Sequence, residues 1–121
     1  MTTLEIGKQL VEFCRSGKND ECQVKLYADD IVSVEAGAPP GQSPEAKGIE
    51  AIRAKSKWWA ENHEVHSAEV EGPYPHGDRF AVVFKYDVTF KPANKRFPMH
   101  EVALYTVKDD KITREEFFYA M

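Results

Sequence analysis

Three carboxylates and a histidine are the residues of this 121-residue chain best placed to do chemistry: Glu35, Glu101, Glu115 and His66. Glu35 ends the stretch LYADDIVSVE (Leu26 to Glu35), just before a loop holding Gly37, Pro39, Pro40, Gly41 and Pro44. An acid at such a strand end can sit at the mouth of a pocket, where apolar walls raise its proton affinity into the range of a general base. The alternative is a carboxylate bathed in solvent beside the loop. Glu101 shares a strand face with Met99, Ala103, Tyr105 and Val107, and Glu115 shares one with Thr113, Phe117 and Tyr119. If both faces are concave, two like charges meet, one group keeps its proton, and that group can donate it. The opposite register turns both outward, and a one-residue slip puts Glu116 where Glu115 would be. The inward register is the one expected for Glu101. His66 alternates with Ala68 and Val70 and could shuttle protons with Glu35 or Glu101, although a core or rim role is commoner for such a residue.

Other chemistries have less support. No HxxxH or HxH pattern supplies convergent metal ligands, and His63 and His66 straddle a helix end and a strand start, so no metal is expected. His63 is expected to be structural at its helix end, and His76 and His100 point to a turn and to the outer face. GxGxxG, P-loop and GxSxG motifs are absent, and no cofactor is expected. A net charge of −4 without a Lys/Arg cluster argues against nucleic acid. The first residues, MTTLEIGKQL, lack the basic and apolar regions of a signal peptide, and no apolar run reaches membrane-span length. Cys14 and Cys22 read as buried thiols of a reducing compartment. A cytoplasmic location is expected.

The elements that must hold these residues follow from periodicity. Thr2 and Glu5 form a capping box before a helix whose stripe is Ile6, Leu10 and Phe13, ended by Gly17. Asn19 or Asp20 can cap a short second helix carrying Cys22, Val24, Leu26 and Tyr27. Asp29 and Asp30 make a polar corner before a strand over 31–35, and residues 36–47 are loop. A third helix runs from Ile49 to about Asn62, with Ile49, Ile52, Ser56 and Trp59 on one face. Trp59 is expected in the core or pocket wall, and Trp58 against the loop or a partner subunit. Four strands follow: 63–71, then 79–90 after the turn 72–78, then 96–107, then 112–120. In the second of these, Phe80, Val82, Phe84, Tyr86, Val88 and Phe90 alternate with a more polar set. That aromatic row must be buried, and the three N-terminal helices are its only cover. The expected class is therefore α+β: a curved, cone-shaped, mostly antiparallel sheet wrapped around three helices, in one domain spanning 1–121. Such a sheet leaves a hollow where the helices do not fill its open end.

The order of elements, together with LYADDIVSVE, KGIEAIRAK (Lys47 to Lys55), EVALYTVKDDKI (Glu101 to Ile112) and EEFFY (Glu115 to Tyr119), resembles the nuclear transport factor 2 superfamily, in its SnoaL-like and ketosteroid-isomerase-like branch. The resemblance covers nearly the whole chain. It implies the cystatin-like α+β roll, a homodimer formed through the outer face of the sheet, and a cofactor-free acid–base site. In the isomerase branch the general base lies eight residues beyond the tyrosine of the YADD string, which here is Glu35. The two positions that supply oxyanion donors fall on Leu10 and near Ala103, neither of which can donate a hydrogen bond, with Glu101 one inward step from the second. The resemblance thus implies isomerase, cyclase, dehydratase or epoxide-hydrolase chemistry on a small hydrophobic carbonyl or epoxide compound. Glu35, Glu101 and His66 would be catalytic, and Trp59, Phe84, Tyr86, Glu115, Phe117 and Tyr119 would line the ligand. The rival expectation is a non-catalytic ligand-binding or dimeric interaction module of the same fold.

Overall fold

Helix α1 (Thr3–Arg15) starts where Thr2 Oγ1 accepts a hydrogen bond from the Glu5 amide at 3.1 Å in the computed structural model, which describes residues 1–120. Its inner stripe buries Ile6, Leu10 and Val11. Gly7, also on that stripe, meets Pro73 and Phe80: a Cβ added there would lie 2.7 Å from the Pro73 Cβ and 3.2 Å from the Phe80 ring. Only glycine lets the helix approach the sheet so closely. The Lys18 amide bonds to the Phe13 carbonyl at 2.9 Å and Gly17 takes φ +69°, which stops the helix in the expected way. Helix α2 (Asn19–Leu26) begins without a side-chain cap, because Asn19 is already helical and Lys18 holds the capping position. Cys22 and Leu26 pack inward, whereas Val24 is exposed.

Strand β1 (Tyr27–Val34) starts four residues earlier than the polarity of Asp29 and Asp30 suggested. Those two acids lie in the irregular part of its ladder, where side chains reach solvent without breaking the strand. The loop expected over 36–47 ends in a short strand, β2 (Glu45–Lys47), paired antiparallel with β1. Helix α3 (Ile49–Asn62) follows, then β3 (His63–His76), β4 (Arg79–Phe90), β5 (Lys95–Lys108) and β6 (Lys111–Phe118). The turn expected over 72–78 is mostly strand. A bulge around Gly72 keeps β3 paired with β4 as far as His76, opposite Arg79, leaving Gly77 and Asp78 as a two-residue turn.

The six strands form one sheet in the order β2-β1-β6-β5-β4-β3. All neighbours are antiparallel except β1 and β6, which run parallel because α3 and the meander lie between them in the chain. The fold is α+β and cystatin-like, as expected. Phe80, Val82 and Phe84 face the helices and are buried, with Phe80 stacked on Tyr105 at 5.0 Å between ring centroids. The β4–β5 ladder pairs Phe84 with Glu101 and Val82 with Ala103, so Glu101 points to the helical side. The β5–β6 ladder pairs Tyr105 with Glu115 and Ala103 with Phe117. This settles the register in favour of Glu115. Glu116 lies on the other face, bonded to Arg114 at 3.0 Å. An irregularity between Thr106 and Val107 moves the inner alternation to Ile112, so Thr113 does not share the Glu115 face as its spacing suggested. Among the described residues, no helix is long and apolar enough to cross a membrane.

Candidate active site

The site lies where the ends of β1 and β6 meet the middle of α3 and β5. Strand β1 alternates Ile31 and Ser33 inward, and Glu35 follows at its end, with its backbone amide bonded to the Pro44 carbonyl at 2.9 Å. That bond ties the two ends of the Gly/Pro-rich loop together behind the carboxylate. Helix α3 aims Lys55 across the gap. The Lys55 ammonium forms an ion pair with Glu35, donates to Ser33 Oγ at 2.9 Å, and lies 5.0 Å from the Phe117 ring centroid. Tyr119 donates from its hydroxyl to the other Glu35 oxygen at 2.7 Å.

Ser33 and Glu115 are paired across the parallel β1–β6 ladder, and both are buried. Ser33 stands directly across the ladder from Glu115, and the Tyr27 hydroxyl donates to Glu115 Oε2 at 2.5 Å. These residues line up as a polar chain, Tyr27, Glu115, Ser33, Lys55, Glu35 and Tyr119, in which Glu115 and Ser33 meet as ladder partners and the other neighbours are bonded. Burial pushes the proton affinity of Glu115 up, while the bond from Tyr27, the charge of Lys55 and the Ser33 hydroxyl across the ladder hold it down. Burial likewise raises the Tyr27 phenol, which therefore stays a donor.

Glu101 stands beside this chain without joining it. Among the described residues no side chain hydrogen-bonds to its carboxyl. Burial, followed by the negative charge of Glu35, lifts its pKa from 4.5 to about 7, with Lys55 pulling the other way and Glu115 adding to the rise. Phe84 is its cross-strand neighbour, and the aromatic wall continues from Phe84 to Tyr86 (5.9 Å between centroids) and on to Trp59 (6.1 Å). Trp59 in turn stacks on His63 at 4.4 Å. The expected residues Glu35, Glu101, Glu115, Phe117, Tyr119, Phe84, Tyr86 and Trp59 thus share the inner face of the sheet or the helix over it. The Glu35 and Lys55 side chains keep 26% and 32% of their exposure, so the cluster opens to solvent at the loop end.

His66 is not brought to the cluster. A bulge between Val65 and Ser67 breaks the alternation that seemed to align it with Val70. Its ring is exposed and lies 2.7 Å from Thr89 Oγ1, and the expectation of a catalytic histidine is corrected accordingly. Two shallow, open recesses mark the surface, one of about 370 Å³ beside Phe13, Val24 and Lys25, the other of about 480 Å³ along Lys85, Tyr86, Arg96 and His100. Among the described residues no three His, Cys, Asp or Glu side chains are placed to hold a metal ion.

Three participants were missed by sequence reasoning: Lys55, Ser33 and Tyr27. The signal for Lys55 was available, since it lies three residues after Ile52 and four before Trp59, on the same buried stripe of α3. A lysine on a core stripe needs an anionic partner. Ser33 alternates with Ile31 and Glu35 and carried the same kind of signal. Tyr27 offered none, because its bond to Glu115 joins residues 88 positions apart.

A family model described as the SnoaL-like domain matches residues 1–119. Among solved structures, a Mesorhizobium loti protein provisionally described as a SnoaL-like polyketide cyclase is 51% identical, with TM-score 0.93, covering 98% of this chain and 100% of that one. A nuclear transport factor 2-like protein from Burkholderia xenovorans is 24% identical (TM-score 0.78; 95% and 89% covered). A protein of ketosteroid-isomerase-like fold from Catenulispora acidiphila, solved with trimethylamine, is also 24% identical (TM-score 0.73; 99% and 88% covered). No curated protein sequence matches the chain.

Proposed function

The chain belongs to the SnoaL-like domain family, and from that premise we propose that it is a cofactor-free acid–base enzyme acting on a small hydrophobic carbonyl or epoxide compound. The reading is carried by the contrast between two carboxyls on one inner face. Glu35 is met by a cation and a phenol, whereas Glu101 has no hydrogen-bond partner among the described residues and a proton affinity near neutrality. Two acids whose surroundings differ in this way divide the work of base and acid. Glu35 takes a proton from the carbon next to a carbonyl, or from a water attacking an epoxide. Glu101 delivers its proton to the substrate oxygen, and the aromatic wall of Phe84, Tyr86 and Trp59 receives the hydrocarbon body. Returning the proton to a different carbon completes an isomerisation.

The test is deuterium incorporation into small cyclic ketones, and hydration of small epoxides, followed by NMR with wild-type protein and Glu35→Gln. Turnover that is lost in Glu35→Gln, with ligand affinity kept, is the expected result. Equal behaviour of the two proteins on every compound would favour the second reading, a non-catalytic binding module. One observation supports that module: both Glu35 oxygens already accept bonds within the protein.

The homodimer suggested by the family resemblance belongs to the same proposal. On the outer face, Val102 and Phe118 are partners in the β5–β6 ladder and remain 39% and 51% exposed. Ion pairs flank them: Arg96–Asp87 at 2.7 Å, Arg114–Glu116 at 3.0 Å and Lys85–Glu71 at 3.1 Å. An apolar centre with a charged rim suits a second copy of the same face. Light scattering should give twice the chain mass for the wild type and the monomer mass for Phe118→Glu. A wild-type monomer at high protein concentration rejects the interface.

A further inference from the structure

Lys55 sits on the face of α3 that packs on the sheet, where an ammonium is costly unless it is fully met. Among the described residues, the polar and cation–π contacts of its ammonium all lie in the acid cluster: Glu35 at the end of β1, Ser33 within β1, and Phe117 on β6. Its charge also acts on Glu101 of β5 and Glu115 of β6, lowering the proton affinity of each. The other titratable groups facing this region are Tyr27 and Tyr119, which bond to the carboxylates, Tyr86 and Tyr105 on the inner face, and Cys14 and Cys22 from α1 and α2. Burial pushes all of these up, the Cys14 thiol to about 12, so they stay neutral at ordinary pH. Among the described residues, Lys55 is the one cation placed among the three glutamates.

We infer that Lys55 is the positioning residue of the site: its ammonium counterbalances Glu35 directly and Glu115 through Ser33, which leaves Glu101 to hold the cluster's exchangeable proton. The geometry supports this division. Lys55 touches Glu35 and the serine that pairs with Glu115 across the ladder, whereas no side-chain bond reaches Glu101 among the described residues. Its consequence for catalysis rests on the acid–base reading above. The charge distribution itself can be measured without any substrate.

The experiment is a pH titration of the glutamate side-chain carbons by NMR, using protein labelled at glutamate Cδ. In the wild type one glutamate should titrate near pH 7, and that signal should be missing from Glu101→Gln. In Lys55→Met the loss of the cation should raise the Glu101 midpoint by about one pH unit, a tenfold gain in proton affinity, with a second glutamate taking up a proton alongside it. Lys55→Arg, which keeps the charge, should restore the one-glutamate pattern. A neutral-range titration that survives in Glu101→Gln overturns the inference, and so does an unchanged titration in Lys55→Met. Should Lys55→Met not fold, Lys55→Gln, which keeps a donor toward Glu35 and Ser33 without the charge, should show the same rise in the Glu101 midpoint, and an unchanged midpoint in it overturns the inference. If the titrations behave as expected while no ketone or epoxide is turned over, the acid–base reading fails and this inference stands. If turnover depends on Glu101 while Lys55→Met titrates like the wild type, this inference alone falls.

Discussion

Replacing Glu101 by glutamine should lower the catalysed proton transfer by about 10²- to 10⁴-fold, the usual loss when a positioned general acid is removed. The amide occupies the same volume and can still donate a hydrogen bond, but it has no proton to deliver to a substrate oxygen. No side-chain bond to Glu101 is broken by the change, so the loss is not a packing effect. The pH profile provides a sharper test. A buried acid whose pKa is lifted to about 7 works as a proton donor below that pH and is spent above it. The wild-type rate should therefore fall through a midpoint near 7 as pH rises, and the residual rate of Glu101→Gln should lack that limb. A glutamine variant that keeps most of the rate but loses the limb would make Glu101 a hydrogen-bond donor rather than an acid. A variant with the full wild-type profile would remove Glu101 from the chemistry.

Much of the scaffold was legible because its signals are local. The capping box at Thr2, the stop at Gly17 and the bounds of α3 need only neighbouring residues, and the alternation of β4 from Phe80 to Phe84 shows which face is buried. What escaped was interruption. One bulge carried His66 off the face its spacing assigned, another carried Ile112 inward in place of Thr113, and a third turned an expected loop at Gly72 into strand. A period of two gives no warning of an extra residue, since the alternation looks intact on each side of it. The candidate site divides along the same line. Its acids were found because Glu101 alternates with the inner residues of β5, Glu115 with Phe117 on β6, and Glu35 comes directly after β1. The groups that tune those acids come from elsewhere: Lys55 from a helix, Tyr27 from the far end of β1. Long-range partnership of this kind leaves no periodic trace, although a charged residue on an apolar helix stripe should now count as one. The positions of Leu10 and Ala103, both buried and without donors, fit the same picture. The polar contacts of this site come from Lys55, Ser33, Tyr27 and Tyr119 instead.

The same glutamine should also make the protein more stable, and only at the higher end of the pH range. In the unfolded chain a glutamate gives up its proton near 4.5, whereas folded Glu101 holds it until about 7. Below 4.5 both states are protonated and the residue costs the fold nothing. As pH rises from 4.5 to 7 the unfolded state sheds its proton while the folded state retains it, so unfolding becomes progressively more favourable. Above 7 the loss is complete and amounts to about 3 kcal/mol, as an order of magnitude. Glutamine carries no charge in either state and escapes this cost. Urea denaturation at about pH 4.5 should therefore place the two proteins within a few tenths of a kcal/mol of each other, the ordinary scatter of a near-isosteric change. At about pH 8 the variant should be the more stable by about 2–3 kcal/mol. Glu115, whose proton affinity burial also raises, adds a slope of the same sign to both proteins, smaller in the variant because the Glu101 charge no longer opposes its ionisation. A gain that is equal at both pH values would point to packing rather than to a strained charge. No gain at pH 8 would mean that Glu101 ionises like a surface acid, and the acid–base reading would lose its proton donor. A residue that costs the fold stability under the conditions where its proton is needed is what a working acid–base site leads one to expect.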